Sequence, residues 1–78
     1  MEDNAKQLKG ILVGCGFMGG MHAQIYKSLP EVELVAVVDG RIAESVEKLE
    51  KLGCPAPVFA ELSEALAAVE CDFVDVCM

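Results

Sequence analysis

Tryptophan is absent, and the whole chain carries one tyrosine, three phenylalanines and one histidine. So few aromatics, beside many aliphatic side chains, suit strands buried on both faces by helices, because such strands read as unbroken Val/Ile/Leu runs. Basic residues are scarce as well: six Lys and Arg stand against 13 Asp and Glu, a net charge of −7. The six are scattered. No basic face is available to follow a phosphate backbone, which argues against nucleic acid as a partner. No apolar stretch reaches the length of about 18 residues that a membrane-spanning helix needs. The first ten residues, MEDNAKQLKG, hold acid and no apolar core, so they do not read as a secretory leader. Repeats, low-complexity segments and long lid-like loops are missing too.

Four cysteines are present, Cys15, Cys54, Cys71 and Cys77. They form no C-x-x-C pair and no ligand set with histidine, so neither a disulfide framework nor a metal site is expected. Three of them lie in or beside apolar runs, where a free thiol behaves as a small buried hydrophobe. Reduced thiols in a cytoplasmic protein follow from that reading.

What remains is strongly apolar. Of 78 residues, 54% are hydrophobic, enough to exclude disorder. The length allows one domain at most. A chain this short buries only about 60% of its unfolded surface, so the stability margin is thin.

Apolar runs alternate with amphipathic stretches. Gly10–Val13 reads as a strand. Met18–Leu29 reads as a helix, with Met18, Met21, Ile25 and Leu29 at helical spacing and Pro30 as its stop. Leu34–Val38 has no polar alternation and reads as a strand buried on both faces. Arg41–Leu52 reads as a second helix. Ile42, Val46 and Leu49 form its inner stripe, while Glu44 with Lys48 and Glu47 with Lys51 are i,i+4 pairs outside. Gly53 stands where a left-handed residue ends a helix. Val58-Phe59 is a short strand, Leu62, Ala65, Leu66 and Val69 mark a third helix, and Phe73–Cys77 is a fourth strand. The order β-α-β-α-β-α-β predicts an α/β fold with a parallel, Rossmann-like sheet, the first half of a dinucleotide-binding domain. Residues 1–8 read as an N-terminal tail and residues 9–78 as that domain, incomplete at its C-terminus.

Gly14-Cys15-Gly16-Phe17-Met18-Gly19 fits G-x-G-x-x-G, and it both follows a strand and opens a helix. Gly14 permits the tight turn. Gly16, without a Cβ, lets a pyrophosphate reach the backbone. Gly19 lets helix and strand pack closely. The free N–H groups of the helix N-terminus then face the pyrophosphate. Phe17 lines the same loop, and Met18 is expected to point into the core and anchor it. Asp39 ends the second strand, 20 residues beyond Gly19. An acid there accepts hydrogen bonds from both adenosine ribose hydroxyls and repels a 2′-phosphate, which favours NAD over NADP. Arg41, within reach of a 2′-phosphate or the adenine, leaves NADP open. Two plainer roles stand beside these: Asp39 as a helix N-cap, and Arg41 as a solvated first-turn residue. His22 reads as a packing residue near the loop, since proton transfer requires a substrate in reach and an orienting partner, and the sequence displays neither.

Assembled, these residues resemble the N-terminal domain of the Gfo/Idh/MocA oxidoreductases, the family of glucose–fructose oxidoreductase and inositol dehydrogenase. Gly14-Cys15-Gly16-Phe17-Met18-Gly19-Gly20-Met21-His22-Ala23 is like the family's G-C-G-x-M-G-x-x-H-A. Leu29–Asp39 is similar to its second strand and acid, and Asp72–Cys77 to its fourth strand. The resemblance covers Lys9 to Met78. It implies strand order 3-2-1-4, NAD or NADP as cofactor, and hydride transfer at a hydroxyl carbon of a sugar or polyol. It also implies a continuation through Thr-Pro, a histidine and a Glu-Lys-Pro segment to a second, α+β domain. Met78 stands at the usual threonine, so no catalytic residue carries over. A non-catalytic NAD-binding module and an S-adenosylmethionine-dependent methyltransferase are the competing functions. In the order 3-2-1-4 the fourth strand lies at an edge unless further strands cover it, so the 78-residue chain by itself is expected to pair with itself, and a homo-oligomer is the expected state.

Overall fold

The computed structural model describes residues 7–14 and 17–77, and from 17 to 20 the helical backbone. Seven elements follow the expected order: β1 (Leu8–Val13), α1 (Phe17–Ser28), β2 (Val32–Val38), α2 (Ile42–Leu52), β3 (Val58–Phe59), α3 (Leu62–Ala68) and β4 (Phe73–Val76). The strands form one parallel sheet in the order β3-β2-β1-β4. That is the arrangement a run of strand–helix–strand units produces when the second half of the chain crosses to the other side of the first strand.

Helices cover both faces of the sheet at β1 and β2. Leu12 and Val37 meet Ala23 of α1 and Leu49 of α2 on one face. Ile11, Ala36 and Val38 meet Ala65 of α3 on the other. This explains the unbroken apolar run in β2: its alternate residues enter different cores. Strand β1 begins at Leu8, earlier than the apolar run suggested. Leu8 pairs with Val32, and its N–H donates to the Glu31 carbonyl at 2.7 Å. Leu8 therefore belongs to the sheet and not to the tail, because backbone pairing continues past the last buried side chain. At the other side, Asp72 fixes the start of β4. Its N–H donates to the Lys9 carbonyl at 2.6 Å, and its carboxylate accepts the Lys9 N–H at 2.8 Å.

The stripes read in the sequence hold in part: Leu49 of α2 and Ala65 of α3 are buried as expected, and Leu62 and Val69 pack against the core around Ala65. Met21 and Ile25 of α1 are exposed, as are Leu29 just past its end, Ile42 and Val46 of α2 and Leu66 of α3. Small residues outside the expected stripes, Ala23 of α1 and Ser45 of α2, are buried as well. Close helix–sheet packing requires a small side chain at the point of nearest approach, and that requirement outweighs the larger hydrophobes. The end of α2 matches expectation. Gly53 has φ +77° and its N–H donates to the Glu50 carbonyl at 3.1 Å. Lys27 Nζ donates to the Leu52 carbonyl there at 3.0 Å, a cation placed at the negative end of the helix dipole.

Gly10 is a second position that needs glycine, for a steric reason. It is buried opposite Phe73, and a Cβ built on it would stand 2.3 Å from the phenyl ring. Phe73 in turn packs edge-on against Tyr26 with ring centroids 6.0 Å apart. Gly10→Ala should therefore destabilise the fold by about 1–3 kcal/mol, the usual effect of forcing extra volume into a packed site. Urea unfolding measures it. Pairing the change with Phe73→Leu should recover part of the loss.

Candidate cofactor-binding site

The C-terminal ends of β1 and β2 bring the glycine loop and the acid together. Gly14 leaves β1 with φ +91°, a conformation that a side chain disfavours. Its N–H donates to the carbonyl of Val38 at 2.7 Å. Val38 directly precedes Asp39, so one hydrogen bond ties the start of the loop to the strand end that carries the acid. Three residues later α1 begins at Phe17. Its first turn contains no acidic side chain, so no local carboxylate competes for the unsatisfied N–H groups and the positive end of the dipole. Cys15 and Gly16 lie outside the described residues. Phe17, Met18 and Gly19 stand in the first turn, where the backbone alone is described, so the expected inward anchoring by Met18 lies outside it too.

Asp39 is half-buried beyond β2. Its N–H donates to the Phe59 carbonyl at 2.9 Å, continuing the ladder toward β3. Its Oδ1 accepts the Arg41 N–H at 2.8 Å. This is a local Asx-type turn, and the capping position of α2 falls on Arg41. A carboxylate has about four acceptor sites, and the turn occupies one of them. Arg41 is 82% exposed in its side chain, with Nη1 3.7 Å from Glu44 Oε1. That position agrees with the plainer reading, a solvated residue at the helix entrance.

His22 has the orienting partner that sequence reasoning did not find. Its Nδ1 lies 2.5 Å from Asp75 Oδ2. The Tyr26 hydroxyl donates to the same oxygen, and the Cys77 thiol sits 3.3 Å from His22 Nδ1. Three elements of sequence logic produce this cluster. His22 and Tyr26 are i,i+4 on α1. Asp75 and Cys77 share one side of the extended chain by its two-residue period. Cys77 stays in register beyond β4 because its N–H donates to the Val13 carbonyl at 2.8 Å.

The electrostatics follow from the contacts. The Tyr26 hydrogen bond, with His22 behind it, holds the Asp75 carboxyl below the ordinary carboxylate range, against some desolvation. Burial and the Asp75 carboxylate push the Tyr26 hydroxyl well above its usual value. Burial pushes the Cys77 thiol up, reinforced by Asp75. Burial does the same to Cys54, opposed by Lys27. A carboxyl with a lowered folded pKa stabilises above its unfolded value and loses that contribution as pH falls through the folded one. Asp75→Asn should therefore flatten the decline in stability below pH 3.8, the unperturbed carboxyl value. At neutral pH it should cost about 1.5–3 kcal/mol, the range for a hydrogen bond to a charged group. Denaturant unfolding at a series of pH values checks both.

A separate pocket of 260 Å³ is lined by Gln7, Lys27, Pro30, Val32 and Cys54 among others. It opens beside the N-terminal ends of β1 and β2. Ligands of open parallel sheets bind beyond the C-terminal ends, so this pocket is remote from the expected cofactor position.

A parallel β3-β2-β1-β4 sheet with a glycine turn and an acid on one end defines an NAD-binding Rossmann domain. Residues 8–78 match the family model GFO_IDH_MocA, described as an oxidoreductase family with an NAD-binding Rossmann fold. The chain belongs to that family. D-apiose dehydrogenase from Paraburkholderia graminis is 30% identical over 76 residues, covering 91% of this chain and 19% of the relative. The crystal structure of GenD2 from gentamicin A biosynthesis, in complex with NAD, superposes with a TM-score of 0.80 at 33% identity, over 100% of this chain and 23% of that one. A myo-inositol dehydrogenase from Corynebacterium glutamicum gives a TM-score of 0.81 at 26% identity, over 92% of this chain and 21% of that one. The chain thus spans about a fifth of the length of these relatives. Among the described residues no helix is long and apolar enough to cross a membrane.

Proposed function

We propose that this chain is the cofactor-holding part of an oxidoreductase that moves a hydride between NAD and a hydroxyl carbon of a sugar or polyol. The observation that carries the reading is the Gly14 N–H bond to Val38. It sets the glycine turn beside Asp39, at the sheet end over which α1 presents its N-terminus.

The residues present fit the dinucleotide. Gly14 already has the turn conformation, the first turn of α1 is free of acid, and Asp39 offers a carboxylate at the end of β2. Gly14, Gly16 and Gly19 would admit the pyrophosphate to the backbone N–H groups, with Phe17 and Met18 shaping the loop. Asp39 would accept the ribose hydroxyls. That carboxylate favours NAD, and NADP would have to recruit Arg41 away from Glu44. When bound, the nicotinamide supplies the hydride chemistry; this chain orients it. The substrate class rests on relatives whose names are apiose and inositol dehydrogenases. A cytoplasmic setting is supported by the free thiols Cys54, Cys71 and Cys77.

Titrating the purified protein with NADH, NADPH and S-adenosylmethionine tests the assignment. NADH should bind most tightly, NADPH more weakly, and S-adenosylmethionine not at all. Preference for S-adenosylmethionine would replace the oxidoreductase reading with a methyltransferase.

A further inference from the structure

We propose that His22, Asp75 and Cys77 form a site for one divalent transition-metal cation, Zn²⁺ by preference, that bridges α1 to β4. No role in the proposed hydride transfer calls for this cluster, and the inference stands independently of it.

Three donors of different chemistry converge from two elements. His22 Nδ1 lies 3.3 Å from Cys77 Sγ, Cys77 Sγ lies 3.7 Å from Asp75 Oδ1, and all three ligand atoms fall within 4.8 Å of one another. Zinc bonds to nitrogen, oxygen and sulfur run about 2.0–2.3 Å, which at a tetrahedral angle puts neighbouring donors roughly 3.3–3.6 Å apart. Two of the contacts already bracket that spacing. The third, His22 Nδ1 to Asp75 Oδ2 at 2.5 Å, is a hydrogen bond, and the cation would replace it. Oδ1 faces the thiol and is the oxygen placed to ligate. Oδ2 would keep its bond from the Tyr26 hydroxyl. A ligand carboxylate held by a neighbouring donor is the usual support of a metal site.

A histidine–carboxylate pair alone needs no metal. The third donor is what distinguishes this cluster. Among the described residues, no other three His, Cys, Asp or Glu side chains converge in this way. An imidazole and a thiolate select Zn²⁺ or Co²⁺ over Mg²⁺ or Ca²⁺, which prefer all-oxygen shells. The side chains of His22 and Asp75 are 34% and 20% exposed. They border a groove of 430 Å³ with Ile25, Tyr26, Phe73 and Val74, so a cation has an entry path and water has room for the fourth position. Binding forms one bond from each donor to the cation, shifts the Nδ1 proton that faces Asp75 to Nε2 of the neutral imidazole, and releases the thiol proton to solvent. No electron is transferred.

Co²⁺ titration of the purified chain under reducing conditions tests the site. One equivalent should produce a thiolate-to-cobalt charge-transfer band in the near ultraviolet and intense visible bands of tetrahedral cobalt, both abolished by added Zn²⁺. Cys77→Ser should remove the charge-transfer band and weaken binding at least tenfold. Tyr26→Phe should keep the band and weaken binding by about 10–100-fold, the range for a partner behind a metal ligand. The triple variant Cys15→Ser, Cys54→Ser, Cys71→Ser retains Cys77 as its sole thiol and should keep the band. Circular dichroism establishes that each variant is folded. If Cys77→Ser unfolds, the triple variant decides alone. Absence of the band in the folded wild-type chain, its survival in Cys77→Ser, or its loss in a folded triple variant overturns the proposal.

Discussion

Gly16→Val should reduce NADH affinity by at least 100-fold, about 2.8 kcal/mol, while leaving the far-ultraviolet spectrum unchanged. Gly16 is the middle glycine of the G-x-G-x-x-G run from Gly14 to Gly19, one residue before α1 starts at Phe17. A pyrophosphate at a helix N-terminus bonds directly to backbone N–H groups. A valine at this position would put a Cβ and two methyls into the same space. The fold should tolerate the change because the two cores are built elsewhere, from residues of β1, β2 and the three helices. Fluorescence titration with NADH measures the loss. Unaltered affinity in a folded variant would remove the loop from the cofactor site.

Asp39→Ala should weaken NAD binding tenfold or more and narrow the gap to NADP. Hydrogen bonds to a charged acceptor contribute about 1.5–3 kcal/mol each, and the ribose offers two hydroxyl donors. The local turn is a competing explanation for the acid, because Oδ1 accepts the Arg41 N–H at 2.8 Å. The two roles separate by readout. Loss of the turn lowers stability and affects both cofactors alike. Loss of the ribose acceptor lowers NAD affinity selectively and relieves repulsion of a 2′-phosphate. Parallel titrations with NADH and NADPH, beside a thermal melt, distinguish them.

The element order was legible because it depends on local signals: apolar runs, glycines at turns, Pro30 after α1 and Gly53 after α2; the order of strands in the sheet came from the resemblance. Asp39 and Gly14 were legible for the same reason, since each sits at the end of a strand. Helix facing was less so. The stripe Met21, Ile25, Leu29 follows helical spacing as well as Ala23 and Tyr26 do. Only the sheet determines which of them is near, and at close approach it selects the small residue. The His22–Asp75–Cys77 cluster escaped because its members are 53 and 55 residues apart in the chain. A signal was present nonetheless. Asp75 is a charge inside an otherwise apolar strand, and such a residue needs a partner. Its two-residue spacing from Cys77 puts both on one side. The strand order β1-β4, which the resemblance implied, would have placed that side against α1.

The most direct test of the cofactor position is a ¹⁵N–¹H correlation spectrum of the protein titrated with NADH. The backbone amides of Gly14, Gly16, Gly19 and Asp39 should shift and saturate together. Those lining the pocket at the other end of the sheet, Gln7, Lys27 and Cys54, should stay in place. Saturable shifts at Gln7, Lys27 and Cys54, with the glycine loop and Asp39 unmoved, would contradict the placement of NAD at the C-terminal ends of β1 and β2.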